Sequence, residues 1–498
     1  MDDVLVSWRP AAAVAVSLLA VPLIIASGRR PNLREGWTLL AAFAKAAIVL
    51  SMLPDVLAGR TPACTLGPLA PGIELALRAD ALGMVFALVA SLLWIATSFY
   101  SIGYVRGAGE KRQTRYFASF ALCLSATMGI AFAANLFTFI VFFEMLTVTT
   151  YPLVLHKETD DARAGATKYL AYTLPAGLAL LLAVAITWTI AGTLTFTPGG
   201  FVTTDMASRG LLQVLFVLFI AGVGVKAGLM PLHAWLPAAM VAPTPVSALL
   251  HAVAVVKAGA FGVLRVTGFV FGPETLRELG VATWLGWLAC ATFLLASVIA
   301  LRQDNLKRRL AYSTVGHLSY IILGAALLNA WSWAGAVLHL AFHATMKITL
   351  FFCAGAIYVR THRERIAELG GIGRQMPVTM AAFAIASLGL AGLPGVNGFL
   401  SKWALANGAL GEQGWFEVSA LALSGVLNAA YFLPIAVRAF FEDNPDYPRF
   451  GEASVLLVAP LALTALASLV LGLAPNLGVG GWDLARQVAI AVTGGAPS

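Results

Sequence analysis

Long apolar stretches follow one another along almost the whole chain. About fourteen of them approach the ~20 residues that a helix needs to cross a lipid bilayer. Charged residues make up only 11% of the 498 residues, whereas hydrophobic residues make up 59%. This composition leaves too little polar surface to cover a soluble globule of this size. The sequence therefore predicts an all-α polytopic membrane protein.

Basic residues are concentrated in the loops that follow the odd-numbered apolar stretches. These loops contain Arg29, Arg30, Arg34, Arg106, Lys111, Arg112, Arg115, Lys157, Arg163, Arg302, Lys307, Arg308, Arg309, Arg360, Arg363, Arg365, Arg374, Arg438 and Arg449. The opposite loops contain only Arg9, Arg60, Arg78, Arg209, Arg277 and Arg486. The positive-inside rule assigns the first set to the cytoplasm and predicts both termini on the outer side. Because the basic residues lie in short loops between apolar stretches and not on one domain face, the net charge of +8 does not indicate a nucleic-acid partner. The apolar stretches predict that a lipid bilayer surrounds the chain.

The sequence contains no motif for a cofactor or a metal. It has no P-loop, no dinucleotide fingerprint and no haem attachment motif. The four cysteines, Cys64, Cys123, Cys290 and Cys353, have neither CxxC nor metal-ligand spacing. We therefore expect no bound cofactor, no metal site, and no redox or hydrolytic centre in this chain.

Five lysines and one glutamate interrupt the apolar stretches: Lys168, Lys226, Lys257, Lys347, Lys402 and Glu144. An ionisable group at membrane depth costs several kcal/mol unless it faces a wet or paired interior. Six such groups in one chain predict a path for protons or small cations through a helical bundle.

Two of the stretches are predicted to be broken helices. The seventh stretch, near residues 210–230, contains Pro231 five residues after Lys226, and the twelfth, near residues 376–400, contains Pro394 before Lys402. Proline removes a backbone donor and clashes with the preceding turn. Breaks at corresponding places in two halves are typical of transporters with internal repeats, although proline also occurs as a simple kink.

We therefore predict two inverted five-helix repeats, formed by helices 4–8 and helices 9–13. The predicted domains are residues 1–110 with helices 1–3, residues 111–275 with the first repeat, residues 276–442 with the second repeat, and residues 443–498 with helix 14 and a tail.

Histidines accompany the lysines in both halves. His339, His343 and Lys347 recur every four residues and so share one stripe of a helix. Because histidine titrates near physiological pH, this stripe suits a water-supported proton relay, with hydrogen bonding between helices as the alternative role of the histidines. His317 either belongs to the proton path of the second half or stabilises contacts between helices.

Other candidates have two open interpretations. His251 precedes Lys257 by six residues and does not share its helical face, so it either relays protons or makes structural hydrogen bonds. His233 lies in the seventh-helix break, where hydrogen bonding to free backbone is expected. Lys168 either touches the wet path or extends its amine toward the membrane surface. Lys45 and Arg265 are weaker candidates for the path.

Several motifs resemble one known superfamily. Lys226-Ala-Gly-Leu-Met-Pro231-Leu-His233, the segment from Pro243 to His251, and Lys257-Ala-Gly resemble the signature of the proton-pumping antiporter-like subunits. This superfamily includes membrane subunits of complex I and of membrane-bound hydrogenases, and the D-type subunits of multisubunit sodium/proton antiporters. Phe143-Glu144-Met, the segment from His339 to Lys347, and Gly398-Phe-Leu-Ser-Lys402 extend the resemblance through both halves.

The resemblance implies a role for each matched residue. Glu144 and Lys226 would form the charge pair of the first half, and Lys257 would be the central relay. Lys347 would continue the path, and Lys402 would be the terminal proton donor toward the outer side.

The resemblance also implies a proton-translocating subunit of a multisubunit energy-converting complex, with sodium/proton antiport as one form of that activity. Homologous antiporter-like subunits and small membrane subunits would be its partners, in the inner membrane of a bacterium or archaeon. Two alternatives remain open: a proton-pumping subunit of an NADH/quinone oxidoreductase, and a membrane subunit of an inorganic-carbon uptake complex.

Overall fold

Helices account for most of the chain in the computed structural model, which describes residues 3–447, 449–477 and 479–497. Within these residues, eleven helices are long and apolar enough to cross a membrane, and Pro377–Ala391 is a shorter apolar helix. The prediction of a helical, polytopic membrane protein is confirmed. The count of fourteen spans, the inverted repeats and the domain boundaries stay predictions.

The N-terminal region combines three helices with a small sheet that the sequence analysis did not predict. The helices are α1 (Arg9–Ala26), α2 (Pro31–Leu57) and α3 (Ala81–Gly107), and the strands are β1 (Asp3–Val6), β2 (Arg60–Ala70) and β3 (Ile73–Arg78). β1 pairs in parallel with β2, and β2 pairs antiparallel with β3, in the order β1-β2-β3. Because these strands have only 4, 11 and 6 residues, apolar stretch length alone could not reveal them. We call this end of the bundle the sheet side.

The first half of the bundle ends in an interrupted series of short helices. Its elements are α4 (Gln113–Ala131), α5 (Leu136–Val154), α6 (Asp160–Ala191), α7 (Arg209–Ala227), α8 (Trp235–Ala238), α9 (Thr244–Ala248), α10 (Val255–Arg265) and α11 (Gly272–Leu279). π-helical turns at Leu249–Val253 and Val266–Phe271 join the last three helices into one buried segment, Thr244–Leu279.

The second half contains the longest buried helix. Its elements are α12 (Val281–Leu301), α13 (Leu306–Ala326), α14 (Ala330–Thr361), α15 (Pro377–Ala391), α16 (Asn397–Gly411) and α17 (Trp415–Phe441). Two further helices follow, α18 (Val455–Leu473) and α19 (Gly481–Thr493). α14 is buried along almost its whole length and packs against α13, α15, α16 and α18. It therefore forms the axis around which the polar side chains of this half are arranged.

The structure interrupts helices at both of the predicted prolines. α7 ends at Ala227, followed by Gly228 with φ of +71° and by a cis peptide bond between Met230 and Pro231. α15 ends at Ala391, and α16 begins at Asn397 after the segment that contains Pro394. Irregular backbone in the apolar part of a membrane protein is tolerated only where protein or a water-filled cavity covers it. Gly228 and Val396 are buried at these breaks, whereas Pro231 and residues 393–395 are exposed on the surface of this chain.

Candidate functional site

A chain of hydrogen bonds leads away from Lys347 in the second half. Lys347 Nζ donates to Ser313 Oγ at 2.8 Å, and the Tyr431 hydroxyl oxygen lies 3.0 Å from the same oxygen. Tyr431 also contacts Asn428 Oδ1, which lies 3.3 Å from His317 Nε2. All five side chains are buried, so these contacts are shielded from bulk solvent.

The chain continues through two stacked histidines. His317 Nδ1 lies 3.1 Å from His339 Nε2, and the two rings are nearly parallel with centroids 5.3 Å apart. His339 Nδ1 in turn lies 2.8 Å from Ser401 Oγ. Because Asn428 Oδ1 only accepts, His317 Nε2 carries the proton in this arrangement, and His339 Nε2 then donates to His317 Nδ1. The Tyr431 hydroxyl and His317 Nε2 thus both donate to Asn428 Oδ1, and the hydrogen bonds converge on this oxygen from the two sides.

Lys402 lies at the end of this chain, beside Ser401 and at the second helix break. Its Nζ donates to Leu390 O at 2.6 Å and to Ala391 O at 3.1 Å, the last carbonyls of α15. These carbonyls carry the negative end of the helix dipole, which favours a cation. A Cβ atom at Gly392, whose φ is +91°, would lie 2.8 Å from Lys402 Cδ. The glycine therefore both ends α15 and leaves room for the lysine, which is only partly buried.

His343 and Lys257 lie where the two halves meet. The His343 ring is 5.1 Å from that of His317, yet neither of its nitrogens has a hydrogen-bond partner in the described part of the chain. Lys257 Nζ likewise lacks a partner there and is fully buried, and its charge acts on His339, His343 and Lys347. Buried polar groups without protein partners are usually satisfied by ordered water. We therefore expect ordered water beside Lys257 Nζ and beside the His343 ring.

Lys226 and Glu144 are close enough to interact electrostatically, but they form no ion pair in the described residues. Lys226 Nζ donates instead to Phe143 O and lies 3.4 Å from the centroid of the Phe143 ring. Glu144 is half-buried, its Oε1 lacks a partner, and a Cβ atom at Gly177 of α6 would lie 2.7 Å from that oxygen. The two side chains of the implied charge pair are thus not in direct contact, and Lys226 is held by the carbonyl and the ring of Phe143.

The other predicted residues of the first half are divided between interior and surface. His251 lies in the first π-helical turn, fully buried, and neither ring nitrogen has a partner in the described chain. His233, in the seventh-helix break, is half-buried, and its ring lies 6.1 Å from that of Tyr312. Lys168 is exposed on α6 and joins none of the hydrogen-bonded groups described above.

A polar cavity of about 390 Å³ opens between the two halves on the basic-loop side of the bundle. Its lining includes Lys157 and Asp161 from the first half and Asn305, Lys307 and Glu364 from the second half. Lys307 Nζ donates to Ala242 O, just before α9. From there, Thr244, Ser247 and His251 follow one face toward the interior, and the Ser247 hydroxyl has no partner among the described residues.

Several residues that join the predicted groups were missed from the sequence. Ser313, Tyr431, Asn428 and Ser401 belong to the series that runs from Lys347 to Ser401, the sequence neighbour of Lys402. Tyr320 accepts from Asn428 Nδ2 at 3.1 Å, and its ring centroid lies 5.2 Å from Lys402 Nζ. Asn428 in an otherwise apolar stretch is a signal that could have been used. Tyrosine and serine are common in membrane helices, so their positions alone carried no such signal.

These features define a class of protein: a membrane protein whose interior holds lysines and histidines in hydrogen-bonding series beside two interrupted helices. Residues 133–428 match the family model described as NADH:quinone oxidoreductase/Mrp antiporter, TM. The chain belongs to this family, and the resemblance of its motifs to the antiporter-like superfamily is confirmed.

Individual relatives agree with this assignment. The N subunit of the NADH-quinone oxidoreductase of Desulforudis audaxviator is 31% identical over 486 residues, which cover 92% of this chain and 95% of the relative. The D subunit of the Na(+)/H(+) antiporter of Bacillus subtilis is 27% identical over 80% of each chain. The structure of the Mrp complex from Dietzia sp. DQ12-45-1b contains a chain of the same fold, with a TM-score of 0.87, 22% identity and 98% coverage of both chains.

Proposed function

We propose that this chain is a proton-translocating membrane subunit of a multisubunit energy-converting complex. The observation that carries the proposal is the buried series from Lys347 through Ser313, Tyr431, Asn428, His317 and His339 to Ser401 beside Lys402. Lys347 stands at one end of the series, and Lys402 is the sequence neighbour of Ser401 at the other end; both lysines have amines that can bind and release protons. The names of the relatives, which are subunits of quinone oxidoreductases and antiporters, support the same interpretation.

In this proposal, protons enter at the basic-loop side and leave at Lys402. The polar cavity near Lys307 and the unpartnered groups on α9 and the following turn form the entry. Lys257 passes protons to His343 through water, and Lys347 and the histidines pass them to Lys402. Glu144 acts on Lys226 in the first half, where the approach or withdrawal of the carboxylate changes how tightly the lysine holds its proton.

The position of the chain in the cell follows from its charge pattern. We propose an inner membrane with the basic loops in the cytoplasm and both termini on the outer side. Homologous antiporter-like and small membrane subunits are the proposed partners. Residues 111–275 and 276–442 are the proposed repeats, because each contains one of the two interrupted helices.

The proposal is tested by replacing Lys347 with methionine in the intact complex. Lys347→Met keeps the length and apolar volume of the side chain but removes the proton-binding amine. We expect loss of proton movement across inverted membrane vesicles, measured with a pH-sensitive dye, while the complex still assembles. Unchanged transport in an assembled Lys347→Met complex would refute the proposed path.

Lys45→Met is the matched control. Lys45 is also fully buried, and its Nζ donates to Ser17 Oγ at 2.7 Å and to Leu124 O at 2.9 Å, outside the proposed path. We expect its replacement to leave proton movement intact. Repeating the wild-type measurement with and without sodium distinguishes sodium/proton antiport from proton pumping alone, and identification of the subunits that purify with the chain separates an antiporter complex from a quinone oxidoreductase.

A further inference from the structure

Toward the sheet side, the buried segment Thr244–Leu279 contains Arg265, which forms an ion pair with Asp80. Arg265 Nη1 and Nη2 donate to the two carboxylate oxygens of Asp80 at 2.5 and 2.8 Å. Asp80 Oδ1 also accepts from Gly83 N at 2.8 Å and so caps α3. Both oxygens of the carboxylate are therefore engaged, and the pair links α3 to the end of α10.

Aromatic rings surround the guanidinium of Arg265. Its Cζ lies 5.2 Å from the ring centroid of Phe196, 4.9 Å from that of Phe261 and 4.7 Å from that of Phe269. Arg265 is 1% exposed. We call Asp80, Arg265, Phe196, Phe261 and Phe269 the sheet-side plug.

The backbone around the plug is close-packed. A Cβ atom at Gly268 would lie 2.4 Å from the ring of Trp333, and one at Gly272 would collide with Gly199 O. Thr197 N and Phe201 N donate to carbonyls of the neighbouring π-helical turn, at Phe269 and Val270. The carbonyls that this turn leaves free are thus satisfied by a loop of the protein, without need of water.

There is a place for water on each side of the plug. Lys257, eight residues before Arg265 and so about 12 Å away along the helix axis, is buried without a protein partner in the described chain and needs water. On the other side, a cavity of about 340 Å³ is lined by Asp80, Phe269, Arg60, Thr61 and Gln487. This volume holds several waters, each of which occupies ~30 Å³ in the liquid.

We propose that the sheet-side plug is a proton seal that prevents Lys257 from losing its proton directly to the sheet-side cavity. This inference rests on the proposed function, because it matters only if Lys257 carries protons. An arginine does not release its proton in proteins and therefore cannot pass one on. A fixed arginine charge also opposes the passage of protons and cations through a narrow, wet gap. With this exit closed, a proton on Lys257 cannot leave directly to the sheet side and is available to the route through the second half.

The seal is tested by measuring passive proton leak. The intact complex is reconstituted in liposomes, and proton entry is followed with an enclosed pH dye under a potassium diffusion potential, without any other energy source. Asp80→Asn keeps an oxygen to cap α3 but removes the charge that holds Arg265. We expect a several-fold faster leak in Asp80→Asn and in Arg265→Gln.

Two further variants separate a seal from a structural role. Asp55→Asn removes a carboxylate on the same side that pairs with Arg9 and Arg60 at the surface, and we expect the wild-type leak rate. In the double variant Asp80→Asn with Lys257→Met, we expect the leak to return to the wild-type rate, because the leak passes through Lys257. A fast leak that persists without Lys257, or a wild-type leak rate in assembled Asp80→Asn and Arg265→Gln complexes, would overturn the seal.

Hydroxyl-radical footprinting of the unmodified complex tests the seal even if these variants fail to assemble. Phe269 lines the sheet-side cavity, whereas Phe261 lies on the Lys257 side of the pair. We expect labelling of Phe269 and protection of Phe261. Equal labelling of both rings would show that water passes the pair and would refute the seal, independently of whether the complex transports protons.

Discussion

The two halves of the bundle satisfy their buried polar groups in different ways. In the second half, side chains join Lys347 to Ser401 beside Lys402 by direct contacts. In the first half, Glu144 Oε1, both nitrogens of His251 and Lys257 Nζ have no partner among the described residues. From Lys347 to Ser401 the second half therefore has a series of direct contacts between protein atoms, although His343 beside it has no partner among the described residues, whereas the polar groups of the first half named above need water.

This difference indicates that the two halves have different roles in proton transfer. A relay made of side chains is fixed by packing and stays in place through the cycle. A relay made of water forms and breaks as the cavity wets and dries, so it can be gated by a small movement of Glu144 or Lys226. We infer that control lies in the first half and conduction in the second half.

The largest effect is expected at Lys226, whose charge interacts with that of Glu144 in the first half. Lys226→Ala should abolish cation-dependent pH change in inverted vesicles while the complex still assembles, because it removes the proton-binding amine on which Glu144 acts. Lys111→Ala, in a surface loop, is the control and should transport normally. Normal transport in an assembled Lys226→Ala complex would remove Lys226 from the path and end the proposed gating role of the first half.

The next largest effect is expected at the end of the second half. Lys402→Leu should stop transport, because it removes the amine that binds Leu390 O and Ala391 O. Lys402→Glu should retain part of the activity, because a carboxyl group also exchanges protons. Equal rates in wild type, Lys402→Glu and Lys402→Leu would show that the relay does not end at this residue.

An intermediate effect is expected at Tyr431, whose hydroxyl lies between Ser313 and Asn428 in the series. Tyr431→Phe removes the hydroxyl between Ser313 and Asn428 and should slow transport about tenfold, since a net loss near 1.4 kcal/mol corresponds to that factor. The control is Tyr169→Phe in the first half, a buried tyrosine that donates to Thr147 O at 3.2 Å outside the series. If Tyr169→Phe slows transport as much as Tyr431→Phe, the proposed contrast between the halves is wrong.

The smallest effect is expected from displacing Glu144 without removing it. Gly177→Ala places a Cβ atom 2.7 Å from Glu144 Oε1 and should lower the transport rate a few-fold by shifting the carboxylate. Gly210→Ala in α7 has nothing within 4 Å of the added atom and should transport at the wild-type rate. Identical rates for the two variants would show that the position of Glu144 does not control the first half.

Much of the architecture and part of the candidate site could be predicted from the chain alone. Apolar stretch length predicted the membrane helices, and Pro231 and Pro394 predicted the places where helices are interrupted, because both signals are local. Spacing of four residues placed His339, His343 and Lys347 on one face of α14. The three strands and helix α19 were not predicted, because they are shorter than the apolar stretches used to recognise elements.

The amino-acid sequence alone established which side chains are titratable and which face of its helix each one occupies, because helical periodicity acts over a few residues. Only the packing of the helices decided that Ser313, Tyr431 and Asn428 join Lys347 to His317, and that Asp80 meets Arg265. These contacts span from tens of residues to 185 residues along the chain. No local pattern encodes such pairings, because they depend on how the whole bundle buries its apolar surface while leaving each polar group with a partner or a place for water.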